Sequence, residues 1–167
     1  MGRNVPKRLH FGGIRITVYV MEESEQSITF FTGEFEHALD DKGRLTLPAL
    51  YRKNFPADSE AFFVPAAHGE KCVRVFNEQG WAEYDRKYVQ QLNEFHARDV
   101  SRKIGALYRL IRQAKVDKGG RIVLPASHVQ ALGLKNKVMM AGHRDHFEIW
   151  DPEEYERFLE SFDGGDS

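Results

Sequence analysis

Asp40-Asp41-Lys42-Gly43-Arg44-Leu45-Thr46-Leu47-Pro48-Ala49 returns 77 positions later as Asp117-Lys118-Gly119-Gly120-Arg121-Ile122-Val123-Leu124-Pro125-Ala126, with six of the ten positions identical. Each copy sets an Asp and an Arg four apart across glycine, then alternates apolar and polar residues into Pro-Ala. One small structural unit is therefore built twice, and two like units imply pseudo-symmetry and a repetitive partner.

The likeness extends past the motif. Ala61-Phe62-Phe63-Val64 and Cys72-Val73-Arg74-Val75-Phe76 read as two strands around a turn containing Gly69. Val138-Met139-Met140-Ala141 and Phe147-Glu148-Ile149-Trp150 repeat that hairpin at an offset that drops from 77 to 74, so the second loop is three residues shorter. Each copy then ends in a helix signal. Asn77 precedes Trp81, Tyr84, Tyr88, Val89, Leu92 and Phe95 at helical spacing, and Asp151-Pro152-Glu153-Glu154 precedes Tyr155, Phe158, Leu159 and Phe162. Asp151 suits an N-cap, with Pro152 at the first helical position and acids in the first turn. Val100, Ile104, Leu107, Tyr108 and Ile111 predict a further connecting helix. These apolar stripes read as core.

A repeat of about 45 residues is near the length below which a lone core is inadequate. The two copies must share one core, most economically by interlocking their strand–turn–strand pieces about a pseudo-twofold axis. The predicted organisation is an N-terminal extension over 1–28, a first module over 34–81, connecting helices over 82–110, a second module over 111–154, and a helix end and tail over 155–167. Residues 163–167 are expected to be disordered.

The 167 residues, 41% of them hydrophobic, fit one ordinary domain or two small fused ones. The single cysteine, Cys72, excludes an intramolecular disulfide framework, and no run approaches the ~18 apolar residues of a spanning helix. A soluble protein of a reducing cytoplasm is expected. The net charge of −1 decides nothing about nucleic acid, because binding depends on where cations cluster. Arg3, Lys7, Arg8 and Arg15 fall in an acid-free leader that ends at Met21; from Met21 onward 20 basic residues face 25 acidic ones, a charge of −5. The leader does not read as a secretory signal. It reads as a poorly ordered tail, with a basic arm on nucleic acid and a translation start at Met21 as the alternatives.

In Asp-x-x-x-Arg the glycine (Gly43; Gly119 or Gly120) can take positive φ, closing a tight turn that brings Asp and Arg together. Asp40 and Asp117 can then accept turn amides and shape the loops. Arg44 and Arg121 offer planar, permanently charged forks suited to phosphate oxygens or to guanine O6/N7. The competing reading is an intraloop ion pair alone, which gives little reason for so detailed a duplication. Further cations crowd the motifs, namely Lys42, Arg52 and Lys53 in the first copy and Arg112, Lys115 and Lys118 in the second. Together they form a candidate phosphate-binding face.

Residues Gly33-Glu34-Phe35-Glu36-His37, Leu39-Asp40, Lys42-Gly43-Arg44-Leu45 and Leu47-Pro48-Ala49 closely resemble the opening of the MraZ family of bacterial transcriptional regulators. Val116-Asp117-Lys118, Gly120-Arg121-Ile122, Leu124-Pro125 and Phe147-Glu148-Ile149-Trp150 also resemble that family, so the likeness spans roughly residues 29 to 162. Each copy resembles a SpoVT-AbrB-type DNA-binding module. The resemblance implies an α+β fold, a double swapped-hairpin β-barrel core from two pseudo-symmetric modules with connecting and C-terminal helices. It implies ring-like homo-oligomers binding short direct repeats in double-stranded DNA upstream of a cell-division and cell-wall gene cluster, in a nucleoid-associated setting. By position, Arg44 and Arg121 would touch DNA, supported by Lys42, Lys118, Arg52, Lys53 and Lys115. The leader inherits no role. Ser127-His128-Val129-Gln130 replaces the basic helix start that Arg52 and Lys53 keep in the first copy, so the first face is expected to be the stronger.

An AbrB-type antitoxin, binding DNA and a toxin, would use the same module but usually has one copy and a disordered tail. A metal enzyme is the rival from another class. His68 and Cys72 stand four apart, and His143 and His146 three apart, in predicted turns. Neither pair supplies four ligands at zinc-like spacing, so no metal is expected. With no Gly-rich phosphate loop, nucleophile elbow or paired catalytic carboxylates, no enzyme activity, cofactor or small-molecule substrate is expected either.

Overall fold

Both duplicated motifs fold as strand, tight turn, short strand and helical turn. In the computed structural model, which describes residues 3–11, 14–22, 30–66, 69–92 and 97–163, the first copy runs β3 (Glu34–Ala38), β4 (Arg44–Thr46), α1 (Ala49–Arg52), β5 (Glu60–Pro65) and β6 (Cys72–Phe76). The second runs β7 (Arg112–Lys115), β8 (Arg121–Val123), α4 (Ala126–Ala131), β9 (Lys137–His143) and β10 (His146–Trp150). Between them lie α2 (Glu78–Leu92) and α3 (Ala97–Leu110), and α5 (Pro152–Asp163) follows. The fold is α+β with an antiparallel sheet and several helices.

Neither copy completes its own sheet. The six-stranded sheet has the order β3-β9-β10-β6-β5-β7, so β3 of the first copy borders β9 of the second, and β7 of the second borders β5 of the first. The short strands β4 and β8 pair with each other, across copies, as a two-stranded ribbon, and Leu45 also bridges Leu39 within its own copy. The register makes the pseudo-twofold explicit. Leu45 faces Ile122, its own counterpart at offset 77, and Arg74 faces Glu148, its counterpart at offset 74. An axis relating the copies therefore passes through both pairs.

Alternation along the strands decides what is buried. Leu45, Leu47, Ile122 and Leu124 turn inward from the ribbon to meet Phe63, Val73, Val75, Met140, Phe147 and Ile149 from the sheet. Phe147 is fully buried, and its ring lies 4.9 Å from Tyr51, 5.5 Å from Phe31 and 6.2 Å from Phe55. A smaller cluster of Cys72, Ala141, Trp150 and Tyr155 packs with Phe158 of α5. Asp151 caps α5 as its sequence predicts, accepting the amides of Glu153 and Glu154 at 3.0 and 3.2 Å. Asn77 does the same for α2 through the amide of Gly80 at 2.7 Å.

The α2–α3 stripes differ from the sequence reading of them as core. Leu92 is buried as expected, but Trp81, Tyr84, Tyr88 and Val89 are only half-buried, and Tyr108 remains 45% exposed. Trp81 meets Tyr108 of α3 edge-on, but its ring and that of Tyr84 otherwise lie against Phe62 of β5 and Phe76 of β6, so each helix keeps an exposed side. Phe95 and residues 164–167, part of the predicted disordered end, lie outside the described residues; Asp163 is the last residue of α5. Among the described residues no helix is long and apolar enough to cross a membrane.

The leader adds an element the sequence reading did not anticipate. β1 (Arg3–Phe11) and β2 (Ile14–Glu22) form a separate antiparallel pair, in register from Arg3↔Glu22 to Phe11↔Ile14. The alternation of Ile14, Ile16, Val18 and Val20 is a strand pattern, and a Gly-Gly pair between two such runs is a hairpin signal.

Breaks in the symmetry have energetic consequences. His128 stands where the first copy has Tyr51, whose hydroxyl donates to the Gly33 carbonyl at 3.0 Å. The Nε2 of His128 is buried without a hydrogen-bond partner, beside Phe63. Burial, then the Arg112 charge, hold its pKa below the ordinary 6.5. Between that lowered value and about 6.5 the unfolded chain binds a proton that the folded chain does not. The neutral ring's contribution is therefore complete above about 6.5 and is lost as pH falls through that window. Urea midpoints measured from pH 7.5 down to 5.5 should decline less steeply in His128→Phe than in the parent; equal slopes would show that His128 does not govern this acid sensitivity.

Candidate nucleic-acid interface

The two glycine turns are near copies in atomic detail. Asp40 Oδ1 accepts the amides of Lys42 and Arg44 at 2.9 and 2.8 Å, and the Gly43 amide donates to the Asp40 carbonyl at 3.0 Å. Asp117 Oδ1 accepts the amides of Gly119 and Arg121 at 2.8 and 3.0 Å, and the Gly120 amide donates to the Asp117 carbonyl at 3.0 Å. Gly43 and Gly120 have φ of 76° and 72°, the left-handed region that glycine enters without steric cost. Of the two glycines in the second turn, Gly120 is thus the conformational one. Each turn is also locked to the other copy: the Leu124 amide donates to the Gly43 carbonyl at 2.8 Å, and the Leu47 amide to the Gly120 carbonyl at 2.9 Å.

Arg44 donates through Nε to Asp40 Oδ2 at 2.5 Å, and Arg121 through Nε to Asp117 Oδ2 at 2.8 Å. The intraloop ion pair therefore forms in each copy, and the Arg still faces solvent. The Arg side chains are 48% and 53% exposed. The Nη groups make no hydrogen bond within the described residues, so each fork is braced on one side and available on the other. The Arg44 side chain, then its amide, hold the Asp40 carboxyl below the usual range. For Asp117 the amide of Arg121 is the larger influence and its side chain adds to it. Asp40 in turn raises the Arg44 guanidinium further.

The ribbon turns two loops into one surface. Leu45 and Ile122 point into the core, so Arg44, Thr46, Arg121 and Val123 point out, with Arg44 facing Val123 and Thr46 facing Arg121. Val123 is 50% exposed. The sequence reading singled out the Arg pair but missed Thr46 and Val123. Period-two alternation from Arg44 and from Arg121 was the signal that could have found them.

The other predicted cations distribute unevenly. Lys42 and Lys118 are exposed in the two turns beside the Arg pair. Arg52 does not serve its own copy's turn. Its Nε donates to the Leu47 carbonyl at 2.9 Å, and its side chain lies over Gly120, where an added Cβ would come 2.6 Å from its Cδ. The helix of the first copy thus delivers its Arg to the turn of the second. Lys53 is exposed at the C-cap of α1. Lys115 lies on β7 at the edge of the six-stranded sheet, facing Glu60 in register.

Two fused, interlocked α+β units that carry an Arg pair onto one exposed ribbon define a duplicated-module α+β protein. The family model described as "MraZ protein, putative antitoxin-like" matches residues 30–103 and 111–164, most of both copies and the helices between. The chain belongs to the MraZ family. It is 34% identical over 125 residues to the protein named transcriptional regulator MraZ of Nitrosomonas europaea, covering 72% of this chain and 80% of that one. The proteins of the same name from Treponema denticola and Roseiflexus castenholzii are 31% and 30% identical, covering 77% and 82% of this chain and 86% and 92% of their own lengths.

Proposed function

We propose that this chain is a sequence-specific, double-stranded DNA-binding transcriptional regulator and not an enzyme, with the β4–β8 ribbon as its reading element. The observation that carries this reading is the outward placement of Arg44 and Arg121 on the two strands of the ribbon, either side of the pseudo-twofold axis, each braced by its own Asp. A two-stranded ribbon is of a size the DNA major groove admits, and Arg forks match guanine O6/N7 or phosphate. The exposed Val123 offers an apolar contact of the kind that recognises a thymine methyl. Lys42 and Lys118, with Arg52 beside the second turn and Lys53 and Lys115 further out, fit phosphate positioning. The names of the relatives, transcriptional regulators, support the same reading.

The crossed pairing of β3 with β9 and β7 with β5 fits a double swapped-hairpin core of two modules, 34–81 and 111–154. The half-exposed aromatic stripes of α2 and α3 suit self-association into a ring-like homo-oligomer, which would set several ribbons against short direct repeats upstream of a cell-division and cell-wall gene cluster, at the nucleoid. Linked weak contacts to spaced sites raise effective concentration. Footprinting the full chain on the DNA upstream of its own gene should give evenly spaced protected segments. Affinity should fall with salt at a log–log slope of about −0.9 for each phosphate neutralised. Uniform protection without spacing would defeat the sequence-specific reading, and salt-independent binding would defeat the role of the basic face.

A further inference from the structure

We propose that the β9–β10 turn is a binding site for one divalent transition-metal ion of the zinc or nickel kind, held by His143, Asp145 and His146. His143 ends β9 and His146 begins β10 as a directly facing pair, joined by the two residues Arg144 and Asp145. Facing residues of an antiparallel pair put their side chains on one side of the sheet, and here the imidazole rings stack with centroids 4.6 Å apart at 21°. Asp145 Oδ1 lies 2.7 Å from His146 Nδ1. One ligand atom from each of the three residues lies within 4.8 Å of the other two. Donors sharing an ion through bonds of about 2.0–2.2 Å sit closer than that, so the site closes by rotation of His143 and Asp145, which are exposed.

His146 is the fixed member. It is 7% exposed, stacked on Phe76 at 4.6 Å, and its Nε2 is buried with no hydrogen-bond partner; Glu148 Oε1 stands 3.9 Å away. The buried imidazole thus keeps Nδ1 beside the other two donors, while Glu148 on its far side stands beyond the hydrogen-bond distance at which carboxylates orient metal-bound histidines. The backbone holds the turn in place as well. Arg144, at φ 64°, bridges to Phe31 through amide–carbonyl bonds of 2.8 and 3.1 Å.

Two imidazoles and one carboxylate select zinc, nickel, cobalt or copper over magnesium or calcium, which need more oxygen donors. The sequence offered only two histidines three apart; the hairpin register and its turn add the third donor. The first copy lacks this set. Its matching positions hold Ala66 and Cys72, and burial pushes the Cys72 thiol well up, away from the thiolate a metal requires. His68 lies outside the described residues. Among the described residues, one ion per chain follows. The ion would also stiffen the start of α2, where Gly80 packs so closely on Asp145 that an added Cβ would lie 2.8 Å from its carbonyl oxygen.

Calorimetric titration of the full chain, first dialysed against chelator, with zinc chloride tests the proposal. The parent should bind one equivalent and melt at a higher temperature with zinc than without. His143→Ala and Asp145→Ala, both at exposed turn positions, should each weaken binding by about tenfold or more with unchanged circular dichroism. His146 is left intact because its removal would disturb the Phe76 contact. Absence of saturable one-to-one binding at millimolar zinc overturns the site, as does parent-like affinity in either variant. Magnesium bound as tightly as zinc would overturn the nitrogen-donor assignment. None of these readouts involves DNA, so their failure leaves the regulatory reading untouched.

Discussion

Arg44→Ala combined with Arg121→Ala should lower affinity for the chain's upstream DNA by about 30-fold or more while leaving folding intact. Each good bidentate Arg–base contact contributes about 1–3 kcal/mol of discrimination, and two of them add to at least about 2 kcal/mol. The fold survives because each turn is held by Asp Oδ1 accepting backbone amides, bonds that an alanine at the Arg position keeps. The lost ion pairs are solvent-exposed, and such pairs are worth about 0–1 kcal/mol. Fluorescence anisotropy on a labelled operator duplex, with circular dichroism as the folding control, measures the effect. Parent-like affinity in the double variant would remove the ribbon from the interface.

Phe147→Ala should cost about 3–5 kcal/mol, a large share of the ~5–15 kcal/mol that stabilises a typical domain. The ring is fully buried among Phe31, Tyr51 and Phe55, three aromatics contributed by the first copy or the segment before it. The cavity therefore opens between the copies, and both should weaken together. Urea unfolding should shift as a single transition, and hydrogen exchange should accelerate in β4 and β5 as well as in β8 and β9. A first copy that keeps its protection while the second unfolds would show that the two cores are separable.

Much of the fold was legible because its signals are local. The strand runs 61–64, 72–76, 138–141 and 147–150 appear as two hairpins, and Asp151 and Asn77 cap the helices that follow. The Asp–Arg turns were legible for the same reason, their geometry being set within five residues by glycine and a short acceptor side chain. Arg52 was misplaced because its partner turn is 68 positions away, and proximity in sequence stood in for proximity in space. The stripes of α2 and α3 read as core because helical spacing reports an apolar face but not what covers it. Thr46 and Val123 were passed over although alternation marks them, and Asp145 could not be joined to the histidine pair before the hairpin register was known.

The sequence alone determined that one unit was built twice and that each copy carries a glycine turn bracing an Arg on an Asp. Tertiary structure decided how the copies complete one another: β3 with β9, β7 with β5, and β4 with β8 about an axis through Leu45 and Ile122. The physical reason is that a turn is specified by neighbours along the chain, whereas strand partnership is settled by which pairing buries the apolar face of both copies at once.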